Sequence, residues 1–245
     1  AQQLTLKFLK NNVKVNNIFT RSKKSFQIGG EVIDSQSIEE LPNKIKSNEI
    51  IIIAVNDSAI SELLLTIPTN TKVVYTAGGV SLATLPKRHN LGVFYPLQTL
   101  SLTNLDEHIS IPILLEATND DFLEELQGLA SKISQQVAFA DSDYRRKIHL
   151  SAVFANNFVH HISYLAEKLC RTHKTDFQLL QPLMQETIKK IGSSSLYESQ
   201  TGPARRGDSA VIQSHLELLE GSDLEVYEAV TNSIIQNYKS EQDEL

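Results

Sequence analysis

Short, strongly apolar runs alternate with amphipathic segments along the first part of the chain. The clearest run, at 50–55 (IIIIAV), is continuous rather than alternating. Such a run is typical of a parallel strand whose two faces are both covered. Each run ends in a turn signal or a proline. The pattern predicts strands near 15–20, 50–55, 72–76, 91–95, 111–116 and 136–140, and helices near 1–9, 59–65 and 122–133.

The hydrophobic period changes after Asp141. The stretch 144–173 keeps a helical period without a glycine or a proline, and further helices are expected at 177–191, 209–220 and 224–238. The fold class predicted is therefore α/β, with a doubly wound, mostly parallel, Rossmann-like sheet followed by an all-α domain. We expect residues 1–140 to bind a dinucleotide, and residues 141–245 to form a helical substrate and dimerisation domain.

The first helix has no strand and no glycine-rich turn before it. In a doubly wound nucleotide fold, the first strand is central, and its glycine turn brings the pyrophosphate to the next helix N-terminus. The sequence therefore leads us to expect a gap in the middle of the sheet. We also expect the sequence to be a truncated form of a longer protein.

Composition narrows the function classes. The net charge of −6 disfavours a nucleic-acid partner, because phosphate neutralisation needs clustered lysine and arginine. Cys170 is the single cysteine, which excludes a disulfide framework and fits the reducing cytoplasm. The apolar run at 50–55 is too short to span a bilayer, so no membrane association is expected.

Candidate cofactor ligands lie where strands end. Thr20, Arg21 and Ser22 follow the first predicted strand, where an NAD-binding fold usually carries an acidic residue. A guanidinium and two hydroxyls suit the 2′-phosphate of NADP, although the same residues also suit a solvated basic turn. Two further strand ends could approach the cofactor, or could be simple strand exits: Val55, Asn56 and Asp57, and Thr76, Ala77 and Gly78.

A polar row on the long helix supplies candidate catalytic groups. At about 100° per residue, Asn156, His160 and Ser163 fall within about 40° of His149. Histidine can exchange the proton that accompanies hydride transfer, and asparagine can orient a reacting oxygen. The alternative is a set of polar residues that face water or a subunit interface. His149 and His160 are roughly 16 Å apart along the axis, so they cannot share a metal, and no metal is expected.

Two further segments could bind substrate. Tyr95 and Gln98 follow a strand that ends near a proline, so they could wall a pocket or merely terminate the strand. Arg205 and Arg206 lie in the unusual loop 201–208 (TGPARRGD) and could clamp a carboxylate. The alternative for this loop is structural, because Asp208 is a good N-cap for the next helix.

Four segments together resemble one family. They are 74–78 (VYTAG), 92–99 (GVFYPLQT), 149–157 (HLSAVFANN) and 201–208 (TGPARRGD). The chain resembles bacterial Rossmann-like proteins that carry a C-terminal domain of unknown function and are labelled NADP oxidoreductases. That group is similar in fold to pyrroline-5-carboxylate reductase, ketopantoate reductase and the 6-phosphogluconate dehydrogenase class.

The resemblance implies NADP binding by the first domain, a helical domain that forms a homodimer, and an active site in the cleft between them. One feature departs from the wider class, whose hydroxyacid dehydrogenases use a helix lysine four residues before an asparagine. Here Ala152 and Val153 stand four residues before Asn156 and Asn157. Another group must then move the proton, or the reaction differs.

Three functions follow from these observations. The first is an NADP-dependent oxidoreductase acting on a small carbonyl, imine or hydroxy compound. The second is a non-catalytic NADP(H) sensor or scaffold dimer, which the missing lysine favours. The third is a helical interaction module with a degenerate sheet. The sequence does not identify the substrate or the direction of reaction.

Overall fold

The computed structural model describes residues 1–28, 30–46, 48–100, 110–191 and 195–238. The chain forms two compact units, Ala1–Asn157 and Phe158–Leu245. The first unit contains the described strands, and the second is helical, so the predicted α/β fold class with a C-terminal helical region is confirmed. The assignment of cofactor and dimerisation roles to residues 1–140 and 141–245 stays a prediction.

The first unit alternates strands and helices as the sequence predicts. Its strands are β1 (Phe19–Thr20), β2 (Ser25–Ile28), β3 (Glu31–Asp34), β4 (Gln36–Ser37), β5 (Ile50–Ile53), β6 (Lys72–Tyr75), β7 (Leu91–Pro96), β8 (Ile113–Ala117) and β9 (Val137–Phe139). Its helices are α1 (Gln2–Lys10), α2 (Leu41–Lys44), α3 (Ile60–Thr66), α4 (Asp120–Ala130) and α5 (Ser142–Ala152), the last continuing into a π-helical segment, Val153–Phe158.

The main sheet of the described residues has the order β5-β6-β7-β8-β9. Strands β5, β6 and β7 are parallel, β8 runs antiparallel to β7, and β9 runs parallel to β8. The register places Ile53 opposite Tyr75, and Tyr75 opposite Val93. The sheet is therefore mostly parallel, and the ends of β5, β6 and β7 meet at one edge.

Side-chain alternation along β7 divides the core into two clusters. Leu91, Val93 and Tyr95 pack into the cluster that contains α3 and receives Ile148 of α5. Phe94, on the opposite face, packs into the cluster formed with α1 and α4. Every residue of β7 is buried, as expected for a strand covered on both sides. This alternation turns Tyr95 toward the face where α5 lies.

The strand predicted near 15–20 is largely wrong. Only Phe19–Thr20 pairs as a strand, with Gln36–Ser37. Val13 and Val15 instead pack their side chains against the α1–α4 cluster without strand pairing, because apolar burial alone does not supply a ladder of hydrogen bonds. The sequence analysis also missed the antiparallel β2–β3 hairpin that follows the basic turn.

A groove separates β5 from the segment that leads into β1. It has a volume of about 420 Å³ and is lined by α1, residues 13–19 and residues 48–55. At one end, Nδ2 of Asn16 donates to Oε1 of Glu49 at 2.7 Å. Within the described residues no strand pairs with this edge of β5. The gap expected in the middle of the sheet stays a prediction.

The second unit is made of helices. They are α6 (Val159–Thr172), α7 (Gln181–Ile191), α8 (Pro203–Arg206), α9 (Ser209–Leu216) and α10 (Gly221–Tyr238). Nζ of Lys168 bonds the Asp223 carboxylate at 2.8 Å, which ties α6 to α10.

The uninterrupted α-helix predicted over 144–173 is wrong in one respect. The π-helical segment Val153–Phe158 interrupts it, and each turn of such a segment holds an extra residue. The spacing of about 100° per residue that aligned His160 and Ser163 with His149 therefore does not extend across the segment. Nothing in the hydrophobic pattern signals this change.

A substitution at Gly92 tests the packing between β7 and α4. A Cβ at this position would lie 2.8 Å from the backbone oxygen of Glu116 and 2.8 Å from Cδ1 of Leu126. We expect Gly92→Ala to lower the free energy of unfolding by about 2 kcal/mol, because the core must move to admit it. Urea denaturation measures the change.

Gly128→Ala in α4 is the matched control. No atom lies within 4 Å of its added Cβ, and alanine favours a helix over glycine by about 1 kcal/mol. This variant should be as stable as the natural protein or more so. Equal effects of the two substitutions would contradict the packing described for Gly92.

Candidate functional site

Three parallel strands bring their carboxyl ends together. Asp57 follows β5, Gly78 and Gly79 follow β6, and Tyr95 lies near the end of β7. A Cβ on Gly79 would lie 3.7 Å from Oδ2 of Asp57, which shows how near the first two strand exits are. Open α/β sheets bind ligands at this edge. The predicted strand-end residues thus lie where a ligand would be bound.

Gly78 packs directly against the ring of Tyr95. A Cβ at position 78 would lie 2.6 Å from Cζ of Tyr95 and 3.0 Å from its hydroxyl oxygen. Real side chains do not tolerate the shorter contact, so the backbone approaches the phenol as closely as only glycine permits. The hydroxyl of Tyr95 therefore lies beside the backbone of the β6 exit.

Tyr95 also contacts the long helix. Its hydroxyl lies 2.9 Å from Nδ1 of His149, and the two rings meet nearly edge-on with centroids 6.0 Å apart. Tyr95 is 9% exposed, whereas His149 is exposed to solvent. His149 follows Ile148, whose side chain packs on the same cluster as Tyr95. The contact joins a buried phenol to an exposed imidazole.

A second hydrogen bond joins the same two elements. Nδ2 of Asn156 donates to Oγ1 of Thr99 at 2.7 Å. Asn156 lies in the π-helical segment, and Thr99 follows β7. His149 and Asn156, which the sequence predicted on one helix face, thus both bond the end of β7. Nothing in the sequence pattern indicates Thr99 as a partner.

Buried Arg145 fixes α5 against the strand ends. It is 0% exposed, and it donates to the Glu116 carboxylate, to Val80 O at 2.9 Å and to Ala140 O at 3.1 Å. The hydroxyl of Tyr75 donates to the same Val80 oxygen at 2.9 Å. Helix α5, strand β8 and the loop after β6 are therefore held at one point.

Sequence analysis missed Arg145 and Glu116. Two signals could have found them. Arg145 stands three residues before Ile148, so it places a charge on the apolar side of the helix. Glu116 places a charge in β8, which is otherwise apolar. A charge at each of two apolar positions indicates a buried ion pair, because neither charge is buried alone.

Burial changes the titration of both tyrosines. It raises the pKa of Tyr75 to about 12, with the nearby Arg145 charge opposing the rise and Asp57 adding to it. Burial and Asp57 also raise the pKa of Tyr95. Both phenols are therefore protonated at neutral pH, so each can donate a hydrogen bond.

The predicted phosphate ligands lie on the turn after β1. Oγ1 of Thr20 is hydrogen-bonded to Ser22 O at 2.8 Å and to Oγ of Ser35 at 2.7 Å. Arg21 and Ser22 are exposed. The Thr20 hydroxyl is thus engaged in shaping the turn, and the groups best placed to meet an incoming anion are Arg21 and Ser22.

The remaining strand-end candidates differ in accessibility. Val55, Asn56 and Asp57 are exposed, while Ala77 and Gly78 are buried. The backbone N–H of Thr76 donates to Ile53 O at 3.1 Å, extending the β5–β6 ladder. Oε1 of Gln98 accepts from the Thr99 N–H at 2.9 Å, so this side chain folds back on its own segment.

The other predicted residues belong to the second unit. The guanidinium of Arg205 lies 4.2 Å from the ring centroid of Tyr238, and Tyr238 stacks on Tyr197. That cation–π contact gives Arg205 a structural role. Asp208 caps α9 by accepting from the Val211 N–H at 3.2 Å, as expected. The two remaining candidates in this unit, His160 and Arg206, are exposed.

Two searches of the described residues were negative. No helix among them is both long enough and apolar enough to cross a membrane. Nor do the described His, Cys, Asp and Glu side chains form a group of three or more that could hold a metal ion.

Comparison with known proteins places the chain among related sequences. The model of the domain of unknown function DUF2520 matches residues 111–234, just over half of the chain. A search of curated proteins gave no significant match.

Several solved structures share the fold. A Bacteroides fragilis protein, provisionally named an NADP oxidoreductase, is 28% identical with a TM-score of 0.79, over 96% of this chain and 94% of that one. A Thermotoga maritima protein is 21% identical with a TM-score of 0.69, over 98% and 96%. An NADH-preferring ketol-acid reductoisomerase from an uncultured archaeon is 8% identical with a TM-score of 0.54, over 98% and 80%. The last two show similarity of fold alone.

Arg145→Met tests the buried ion pair. The substitution keeps the volume of the side chain roughly constant but leaves the Glu116 carboxylate without its cation. We expect the free energy of unfolding to fall by about 3 kcal/mol or more. Thermal or urea unfolding measures it.

Arg146→Met is the control next in sequence. Arg146 is exposed and pairs with Asp143 on the helix surface, so its loss should change stability by no more than about 0.5 kcal/mol. If Arg145→Met were as mild as this control, Arg145 would not be the anchor of α5.

Proposed function

Because this chain belongs to the family defined by DUF2520, a domain of unknown function, we propose its activity from the site itself. The protein is an NADP-dependent oxidoreductase that transfers a hydride to or from a small carbonyl, imine or hydroxy compound. The observation that carries the proposal is the meeting of Asp57, Gly78, Tyr95 and His149 at the carboxyl edge of a parallel sheet. The name given to the Bacteroides fragilis relative supports it.

The residues at this edge fit a dinucleotide. Gly78 leaves its backbone bare where a Cβ would occupy the space, and Val55, Asn56 and Asp57 are exposed beside it. Thr76 and Ala77 complete the β6 exit. Thr20, Arg21 and Ser22 would hold the 2′-phosphate that distinguishes NADP from NAD. The bound cofactor would supply or accept the hydride.

The remaining candidate side chains would bind and orient the substrate. We assign proton transfer to His149 or His160, and orientation of the reacting oxygen or nitrogen to Asn156. Tyr95 and Gln98 would wall the pocket. Arg205 and Arg206 would hold an anionic group of the substrate, with Arg206 the better candidate because Arg205 already contacts Tyr238.

A second function is favoured by one observation. Neither Ala152 nor Val153 can replace the lysine that the hydroxyacid dehydrogenases place before their asparagine. The alternative is a non-catalytic NADP(H) sensor or scaffold dimer. Such a protein would bind NADPH without oxidising it in the presence of carbonyl or imine compounds.

We further propose a cytoplasmic homodimer formed through the helical unit. The lone Cys170, a free thiol, fits a reducing compartment. Large apolar side chains stand exposed along these helices, and a second copy would remove them from water. They include Val159, Ile162, Leu179, Leu183, Ile188, Val211 and Leu218.

Ile162→Glu tests the dimer. Ile162 is 44% exposed on α6, and a buried carboxylate at this position would oppose association. We expect light scattering to give a dimer mass for the natural protein and a monomer mass for the variant. Leu65→Glu, which alters a 74% exposed leucine in the first unit, should stay dimeric. A monomeric natural protein contradicts the proposal.

Arg21→Gln tests the cofactor assignment. Loss of one charge-assisted hydrogen bond should weaken NADPH binding by about 10-fold or more, and should leave NADH binding unchanged. Nicotinamide fluorescence titration of both cofactors measures the dissociation constants, and Arg146→Gln serves as the control for the loss of one positive charge. If the natural protein binds neither cofactor, the oxidoreductase proposal fails.

A further inference from the structure

We propose that the hydroxyl of Tyr95 exchanges the proton with the substrate and that His149 acts through Tyr95 as its link to solvent. This inference rests on the proposed function and deepens it. It changes the role of Tyr95 from a pocket wall to the catalytic acid. His149 becomes a positioning and proton-supplying residue.

The position of its hydroxyl favours Tyr95 as the group that exchanges a proton with the substrate. It lies at the carboxyl end of β7, 3.0 Å from where a Cβ of Gly78 would be, so it faces the bare backbone of the β6 exit. That exit is part of the edge where a dinucleotide would be bound. A substrate held against the cofactor at that exit would lie beside the phenol of Tyr95.

The position of His149 suits it to supply protons to Tyr95 rather than to transfer a proton directly to the substrate. Its Nδ1 is already hydrogen-bonded to the Tyr95 hydroxyl at 2.9 Å. The imidazole is exposed, so its protons exchange with water, whereas the phenol is nearly buried and cannot be reprotonated by bulk water as readily. The pair forms a two-member path from solvent to the strand edge.

Burial keeps the phenol protonated. It raises the pKa of Tyr95, and Asp57, from the segment after β5, adds to the rise. His149 of α5 is hydrogen-bonded to the hydroxyl, Tyr75 lies in the same apolar cluster, and Arg145 lies near Tyr75. A protonated phenol next to an accepting substrate atom is a general acid.

The proton balance is complete for the reducing direction. The substrate carbon accepts a hydride from the bound reduced dinucleotide, and the electron pair of its C=O or C=N bond takes the proton of Tyr95. The electrons of the broken O–H bond stay on the phenolate oxygen. Nδ1–H of His149 then returns a proton to that oxygen, and water reprotonates the imidazole. Oxidation of a hydroxy compound is the reverse.

Three variants test the path: Tyr95→Phe, His149→Gln and the double variant. The assay follows NADPH oxidation with pyruvate, diacetyl or 1-pyrroline, and uses whichever the natural protein reduces fastest. We expect Tyr95→Phe to lower kcat by at least about 10²-fold with the dissociation constant of NADPH unchanged. His149→Gln should cost less, about 10-fold.

The double variant separates a shared path from two independent roles. If His149 acts through Tyr95, removing both should cost no more than removing Tyr95 alone. In the natural protein, kcat for reduction should fall as pH rises, and this limb should vanish in His149→Gln. A merely structural histidine would not produce that limb. Tyr144→Phe, an exposed tyrosine on α5, is the control.

A measurement without turnover checks the contact itself. Imidazole ¹⁵N resonances of His149 report which ring nitrogen bears the proton. Tyr95→Phe should shift the Nδ1 resonance of His149, because its Nδ1 loses its hydrogen-bond partner, while Tyr144→Phe should not.

The outcomes distinguish the two proposals. If the natural protein binds no NADPH or reduces none of the three compounds, both the proposed function and this inference fail. If it turns over and Tyr95→Phe is equally fast, only the role of Tyr95 fails. The proton path is also overturned if the losses of kcat are fully additive in the double variant. It is likewise overturned if the ¹⁵N resonances of His149 do not change in Tyr95→Phe.

Discussion

A buried guanidinium holds the first unit together at the carboxyl edge of its sheet. Arg145 has no access to water, so its charge must be met by protein groups, and these are supplied by β8 and by the loop after β6. Its bonds fix where α5 begins over the sheet. One helical turn later, that placement brings His149 to Tyr95. The geometry at the strand ends depends on this ion pair.

Burial explains which strands could be predicted from the sequence. The run at 50–55 and its counterparts in β6, β7 and β8 read correctly, because a strand covered on both faces must be apolar throughout. The stretch 15–20 is also apolar at intervals, yet pairs only at Phe19–Thr20. Whether this stretch forms a strand depends on a neighbouring backbone with which it can pair, and the local hydrophobic pattern does not indicate one. The polar hairpin β2–β3 gave too little apolar signal to be found.

Helical periodicity predicted part of the candidate site. It placed His149 and Asn156 on one face, and both side chains bond the end of β7. Their partners could not be predicted, since Tyr95 and Thr99 are more than 50 residues away in sequence and meet them only through the docking of α5. The π-helical segment was equally hidden. The functional roles of all the candidate residues stay predictions.

The contact between Gly78 and Tyr95 restricts the order in which substitutions at these two positions can be accepted. A side chain at position 78 collides with the phenol, so it becomes acceptable only when the ring at position 95 is lost or moves. Substitutions at the two positions are therefore coupled, and glycine is free to vary once the tyrosine is gone. Among related sequences, a residue other than glycine at position 78 would by itself mark a protein in which the tyrosine has been replaced or its ring displaced.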